Sequence, residues 1–212
     1  MNISAILLAG GKGSRMGSPL PKQYLPLGEK PIACHSLEVF LSHPAIMEVI
    51  VVCAPEYRSF FSKYDVLFAN PGIRRQDSLF NGLKSASHEW ICVHDAARPY
   101  LTSELLTRMI GEGKEIGAAT LAMPVKNTLK ECDRDGFVRS TPDRDYIWEV
   151  QTPQLLAKEI LLKGFAYADE HHLTVTDDVS LAELINHPVK LVSGSYQNIK
   201  ITTPEDLWLS TS

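Results

Sequence analysis

The feature that most constrains the fold is a set of short apolar blocks: AILLA at residues 5–9, EVIVVCA at 48–54, WICVH at 90–94 and GAATLAM at 117–123. These blocks lack the alternation of a strand with one face in water, so they predict strands covered by helices on both faces. VKLVSG at 189–194 and the shorter NIKI at 198–201 predict two more. Helical spacing fills the intervals. Pro31 suits the first position of a helix carrying Ala33, Leu37, Phe40 and Leu41, which stops before Pro44. Thr102 is placed to cap a helix with Leu105, Leu106, Met109 and Ile110 on one side. Thr203, Pro204 and Asp206 form a capping-box pattern near the end. Strands alternating with helices predict an α/β fold: a Rossmann-like, mainly parallel twisted sheet with helices on both faces. The 212 residues suit a single domain, 1–212, and no repeat or composition shift marks a linker.

One segment departs from the alternation. Residues 124–146, PVKNTLKECDRDGFVRSTPDRDY, are polar, and Asp135-Gly136 is a turn signal between TLKEC and FVRST. They predict a protruding β-hairpin arm. An isolated two-stranded hairpin is marginal in water, so the arm is expected to pack on a second copy of the chain as a dimerisation arm.

Composition narrows the partners. A formal net charge of -4 lacks the surplus of Lys and Arg that a general nucleic-acid binder needs, so any basic cluster is local. Cys34, Cys53, Cys92 and Cys132 show no C-x-x-C pair and no disulfide-framework spacing, and Cys53 and Cys92 read as small core residues. The histidines have no ligand-like spacing with cysteines or carboxylates, so no resident metal site is expected. Without a signal-like N-terminus or a run approaching a membrane span, the expected setting is the cytoplasm, away from membranes.

The first apolar block runs into LLAGGKGSRMGSPLPKQYL at 7–25, a glycine-rich loop at the expected carboxyl edge of the sheet. Gly10, Gly11, Gly13 and Gly17 permit positive φ and close backbone approach, so amide groups can face phosphate oxygens. Two familiar phosphate loops are excluded: no Gly-Lys-Ser/Thr follows at the right spacing, and Met16 stands where the dinucleotide fingerprint requires glycine. Arg15 and Lys22 follow the glycines. A planar guanidinium and a compact ammonium suit the charge that builds on a polyphosphate as a P–O bond breaks. The bland alternative is a surface turn with solvated cations.

This loop resembles the signature of the sugar-phosphate nucleotidyltransferases, and the likeness continues along nearly the whole chain. GIRRQDSLFNGL (72–83), VHDAARP (93–99), PVKNTLK (124–130), DR (143–144), QTPQ (151–154), TDD (176–178) and NIKITTPEDL (198–207) occur in the order found in the 2-C-methyl-D-erythritol 4-phosphate cytidylyltransferase family. The resemblance implies transfer of CMP from CTP to methylerythritol phosphate, with release of pyrophosphate, in non-mevalonate isoprenoid synthesis. Ribitol-5-phosphate cytidylyltransferases share the glycine loop and PKQ and are the rival reading, since many methylerythritol enzymes have Pro-Ala-Ala-Gly where this chain has Leu8-Ala9-Gly10-Gly11. A non-catalytic nucleotide-binding subunit is a further alternative.

The resemblance also implies roles. Arg15 and Lys22 would stabilise charge at the CTP α-phosphate, with Gly10, Gly11 and Gly13 cradling the nucleotide. Arg75 and Ser78 would belong to the nucleotide site, where a plain helix cap is the competing account of Ser78. Asp95 would face substrate hydroxyls or the metal-bound nucleotide, against a turn cap as the alternative. Arg98, Thr176 and Lys200 would hold the acceptor. Thr128 and Arg144 would cross on the arm to the acceptor phosphate of a partner's site in a homodimer; read without the family, Arg144 is a solvated hairpin charge. Mg²⁺ is the expected cofactor, bridging phosphate oxygens with few protein ligands. His94 reads as a packed structural histidine.

Overall fold

The structure, a computed structural model, describes residues 1–11, 13 and 17–209, the side chains of 208 and 209 excepted. Chain order gives β1 Ile3–Leu8, the small hairpin β2 Pro26–Leu27 with β3 Lys30–Pro31, α1 Ile32–Ser42, β4 Ile46–Val52, β5 Leu67–Ala69, α2 Arg75–Ser85, β6 Trp90–Asp95 and α3 Ser103–Gly113. Then come β7 Ala118–Pro124, the arm strands β8 Glu131–Cys132 and β9 Val138–Ser140, β10 Trp148–Ala157, α4 Lys158–Glu170, α5 Ser180–Leu184, β11 Lys190–Ser193 and α6 Pro204–Leu209.

Seven strands form one sheet in the order β11-β7-β10-β6-β1-β4-β5. β10 alone runs against its neighbours, pairing antiparallel with both β6 and β7, while the other pairings are parallel. The apolar blocks divide residue by residue between the two faces. Ile3, Ala5 and Leu7 of β1 face a core built with Ala33, Leu37 and Phe40 of α1 and Leu105, Leu106 and Met109 of α3. Ile6 faces the other core, with Leu79 and Leu83 of α2, Ile160 and Leu161 of α4 and Leu181 of α5. A period of two with both phases apolar is the condition for a strand between two helical layers, and it explains why the blocks do not alternate.

Two expected elements differ in detail. Pro31 takes the cap position of α1, with φ -58 and ψ 147, and the helix begins at Ile32, one residue later than the sequence suggests. Leu41, expected on the apolar stripe, is half exposed because the stripe has rotated past it by the last turn. Residues 198–201, expected as a strand, form none. No ladder reaches them; Asn198 instead donates its side-chain amide to Thr152 O at 2.9 Å, and Ile201 N donates to Ala97 O at 2.9 Å. At the caps, Thr102 accepts from Leu105 N at 3.2 Å as expected, and Asp206 accepts from the backbone N–H of Thr202 and Thr203 at 2.7 and 3.0 Å.

The topology fixes where a ligand binds. From β1 the chain crosses through α1 to β4 and then β5 on one side, and returns through α2 to β6 on the other. The carboxyl ends of β1 and β6 therefore border a switch point, the crevice where open α/β sheets place ligands. The loop after β1, the loop before α2 and the end of β6 all open there. Outside the seven-stranded sheet, β8 and β9 pair as the arm, with Asp133 accepting from Asp135 N and Phe137 N, each at 3.0 Å, and Gly136 at φ +86.

Candidate active site

The glycine loop is held from below by residues that follow it. Gln23, buried, donates its amide to Ala9 O at 2.6 Å and Gly11 O at 2.8 Å, and Tyr24 donates its hydroxyl to Ala9 O at 2.7 Å. These bonds satisfy backbone carbonyls that the loop could not pair by itself. They also bring Lys22 against the loop: a Cβ on Gly13, whose φ is +62, would lie 3.0 Å from Lys22 N. Gly13 and Gly17 have the positive φ expected of them. Gly10 does not; it is glycine because a Cβ there would lie 2.5 Å from Pro71 Cβ, so the β1 loop can pack on the loop before α2. Gly11 likewise lacks a positive φ and is exposed. Arg15, the other cation expected on this loop, lies outside the described residues.

Beneath the loop is a cleft of about 510 Å³, lined by Gly10, Gly11, Gly13, Lys22, Ser78 and Lys200 among others. Beside it is a cavity of about 680 Å³ that includes Arg98, Thr152, Gln154 and Thr176. Arg75, Asp95 and Lys200 line both, so the two spaces meet at that trio. Lys22 and Lys200, 178 positions apart in the sequence, thus share one cleft. Thr128 and Arg144 are exposed on the arm and line neither space within the chain. Arg144 donates only to its own arm, from Nη1 to Lys126 O at 3.4 Å, among the bonds of the described residues.

The trio is a charge network. Asp95, at the end of β6, accepts from Arg75 Nε and Nη2 at 3.1 and 2.9 Å on one oxygen and from Lys200 Nζ at 2.5 Å on the other. Burial pushes the Asp95 carboxyl up, but the two cations outweigh it and hold the group well below the usual carboxylate range. Arg75 also clasps Asp178, whose carboxylate is 1% exposed, with Nη2 2.9 Å from Oδ2. Burial dominates at Asp178 and raises its pKa despite that partner. Arg75 is therefore committed to two carboxylates rather than free for substrate. Ser78 is also engaged, accepting from Gly72 N at 2.9 Å and donating to Arg74 O at 3.3 Å, so its hydroxyl shapes the loop before α2. Arg98 has the opposite character: Nη1 donates to Asn198 O at 2.7 Å, burial pulls its pKa down, and its buried Nε has no hydrogen-bond partner. A guanidinium so placed in a cavity wall calls for an anion.

His94 fixes the far side of Asp95. Its Nε2 lies 3.0 Å from Arg98 O, which can only accept, so Nε2 carries the proton and Nδ1 accepts from the Thr152 hydroxyl at 3.0 Å. Thr152 Oγ1 in turn accepts from Asp95 N at 3.1 Å. Burial is the main cause that holds His94 down at about 4, and the ring is neutral and structural. Since its folded value lies below the ordinary 6.5, the unfolded chain binds more protons between these two values. The stabilising effect is present above pH 6.5 and is lost as pH falls toward 4, amounting to about 3 kcal/mol. Urea unfolding is expected to show wild type losing that much more stability than His94→Gln between pH 7 and pH 4; equal losses in the two proteins would assign the acid sensitivity elsewhere.

Sequence reasoning missed the supporting polar groups. Gln154, fully buried, accepts from the backbone N–H of Asp178 and Val179 at 2.8 and 2.9 Å and donates to Asp177 Oδ2 at 3.0 Å. Gln23, Thr152 and Asn198 act similarly, and none carries a charge that would have flagged it.

A glycine loop and two lysines facing one cleft at the switch point of a doubly wound sheet, with a second cavity opening on the same wall, define a nucleotide-dependent transferase. Comparison with known proteins makes the class specific. The model of the family described as 2-C-methyl-D-erythritol 4-phosphate cytidylyltransferase matches residues 3–212. Enzymes of that name from Oryza sativa subsp. japonica, a chloroplastic protein, and from Chlamydia pneumoniae are each 46% identical to the chain. The matches cover 99% of this chain and 73% of the rice protein, and 98% and 96% for the chlamydial one. Among solved structures, 4-diphosphocytidyl-2C-methyl-D-erythritol synthase from Anaerococcus prevotii superposes with a TM-score of 0.88 at 32% identity, covering 99% of this chain and 94% of that one. The chain belongs to the 2-C-methyl-D-erythritol 4-phosphate cytidylyltransferase family. Its reaction is cytidylyl transfer from CTP to 2-C-methyl-D-erythritol 4-phosphate in isoprenoid biosynthesis, so the ribitol phosphate and non-catalytic alternatives fall away.

Proposed function

We propose that the cleft beneath the glycine loop receives CTP, that the adjoining cavity receives methylerythritol phosphate, and that transfer runs across the wall they share. A phosphate oxygen of the acceptor forms a bond to the α-phosphorus of CTP as the bond from that phosphorus to the β-phosphate bridging oxygen breaks, and pyrophosphate leaves. A phosphate monoester is already an anion at neutral pH, so no general base is needed and catalysis rests on alignment and charge neutralisation. Lys22 offsets charge on the nucleotide side, Arg15 is assigned there by family likeness, and Lys200 and Arg98 hold the acceptor. The observation that carries this reading is the membership of Arg75, Asp95 and Lys200 in both walls.

Among the described residues, no three His, Cys, Asp or Glu side chains converge on a metal-sized space, and Asp95 is the one carboxylate lining the nucleotide cleft. That donor set fits an ion whose ligands are mainly phosphate oxygens and water, as Mg²⁺ prefers, because the oxygens of Asp95 are already engaged by Arg75 and Lys200. When bound, Mg²⁺ would neutralise phosphate charge and orient the nucleotide.

The arm completes the site from a second copy of the chain. Phe137 is 74% and Tyr146 82% exposed on it, more apolar surface than a solvated hairpin retains without a partner. The homodimer that covers them carries Thr128 and Arg144 to the partner's acceptor cavity. A cytoplasmic setting suits the four free cysteines, and among the described residues no helix is long and apolar enough to cross a membrane. The direct test supplies CTP with methylerythritol phosphate or with ribitol 5-phosphate and follows pyrophosphate. Release is expected with the first acceptor alone, and turnover of the second in its place would overturn the assignment of the cavity.

A further inference from the structure

Asp178 is a buried carboxylate that lines neither substrate space, yet it sits one residue pair away from Lys200. Its backbone is fixed by Gln154, which accepts from the N–H groups of Asp178 and Val179 and is itself bonded to Thr120 Oγ1 at 3.1 Å. From this mount its carboxylate engages both Nη atoms of Arg75. Arg75 then reaches Asp95 with Nε and Nη2, both on Oδ1, and Oδ2 is left to Lys200.

The geometry of a guanidinium makes this division informative. Arginine facing a single carboxylate favours the two-oxygen fork, one N–H to each oxygen. Here Arg75 gives that fork to Asp178 and touches only one oxygen of Asp95. We propose that Asp178 is a positioning residue for the reaction: by dividing Arg75 between two carboxylates it reserves Asp95 Oδ2 for Lys200, and so holds the Lys200 ammonium at the junction of the two substrate spaces. The arrangement also sets the strength of that hold. Because Arg75 already offsets part of the Asp95 charge, an incoming phosphate dianion can draw Lys200 away from it. Without Asp178, Arg75 takes both Asp95 oxygens and Lys200 loses its anchor. This inference rests on the assignment of Lys200 to the acceptor.

The test uses the full-length protein with CTP and methylerythritol phosphate. Asp178→Asn keeps the shape of the side chain and removes its charge. It is expected to lower kcat/KM for the acceptor by between about tenfold and about a hundredfold, the scale of a small misplacement in the site, with CTP affinity by calorimetry within about twofold of wild type. Lys200→Ala is made in parallel, and the double variant is expected to be no worse than Lys200→Ala alone, because a residue acting through Lys200 has nothing left to position. Acceptor kcat/KM within about twofold of wild type in Asp178→Asn, or losses that add in the double variant, would overturn the proposal. If Lys200→Ala itself leaves acceptor kinetics unchanged, the acceptor assignment fails instead. Should Asp178→Asn not fold, Asp178→Asn combined with Arg75→Gln removes both charges of the pair. In that protein Lys200 keeps Asp95 Oδ2 but no guanidinium offsets the Asp95 charge, so Lys200 is held too tightly and acceptor kcat/KM is expected to fall through a raised KM with CTP affinity retained; unchanged acceptor kinetics there count against the role.

Discussion

Replacing Lys22 by alanine is expected to reduce kcat by about a hundredfold to a thousandfold while CTP affinity changes by less than about tenfold. The asymmetry follows from how Lys22 is mounted. It begins the short 3-10 turn Lys22–Tyr24, and the next two side chains, Gln23 and Tyr24, are bonded to the carbonyls of the glycine loop. The ammonium therefore approaches the cleft from a fixed backbone rather than from a surface side chain free to search for charge. In the proposed site, ground-state binding of a triphosphate is spread over loop amides and several cations, so losing one is expected to cost little affinity. The charge that develops at the α-phosphate as pyrophosphate departs is local, and a preorganised cation beside it contributes mainly there. Single-turnover kinetics at saturating CTP, together with direct CTP binding, separate the two effects. A variant with unchanged kcat would remove Lys22 from the chemistry.

The sequence made the central strands legible because each must satisfy two helical layers, which leaves too few polar positions, such as Ser4, His94 and Thr120, to disguise the pattern. β10 was illegible for the opposite reason. Pro153 and the polar residues Gln151, Thr152 and Gln154 interrupt it, and residues 151–153 have no register partner in either neighbouring strand. A proline in a strand is tolerated where the ladder is already broken, and a single sequence does not announce such a break. NIKI erred the other way: its Ile199 and Ile201 mimic a strand, yet the segment is pinned by the Asn198 side chain and by one bond from Ile201 to Ala97. At the site, cations after apolar strands were legible because charge at a sheet's carboxyl edge has few structural uses. Asp178 was not, since aspartate directly ahead of a helix serves local capping as readily as a site. Asp177 does act as a cap, accepting from Ser180 N at 3.1 Å, and masks its neighbour. The partner that gives Asp178 its meaning, Arg75, is 103 positions away, and only the folded sheet reveals it.

The arm reading leads to an expected result that no single chain can give. If Arg144 serves the neighbouring subunit, chains carrying Lys22→Ala and chains carrying Arg144→Ala are each nearly inactive alone, but unfolding and refolding them together restores activity. Random pairing makes half of the dimers mixed, and each mixed dimer has one site with an intact Lys22 from its own chain and an intact Arg144 from its partner. Recovery of about one quarter of wild-type activity follows from two-fold symmetry alone. If Arg144 acted on its own chain, every site in a mixed dimer would retain one defect and mixing would restore nothing. Sedimentation of the same samples distinguishes the two failures: dimers without recovery place Arg144 in its own subunit, whereas monomers remove the arm interface altogether. The exposure of Phe137 and Tyr146 favours the dimer, because the apolar area they leave in water is removed only by a second surface. An arm that must cross to function also explains why Thr128 and Arg144 lie outside both substrate spaces of their own chain. If the arm crosses, the acceptor cavity, lined within its own chain by residues of the sheet, of α5 and by Lys200, gains a further wall from the other copy.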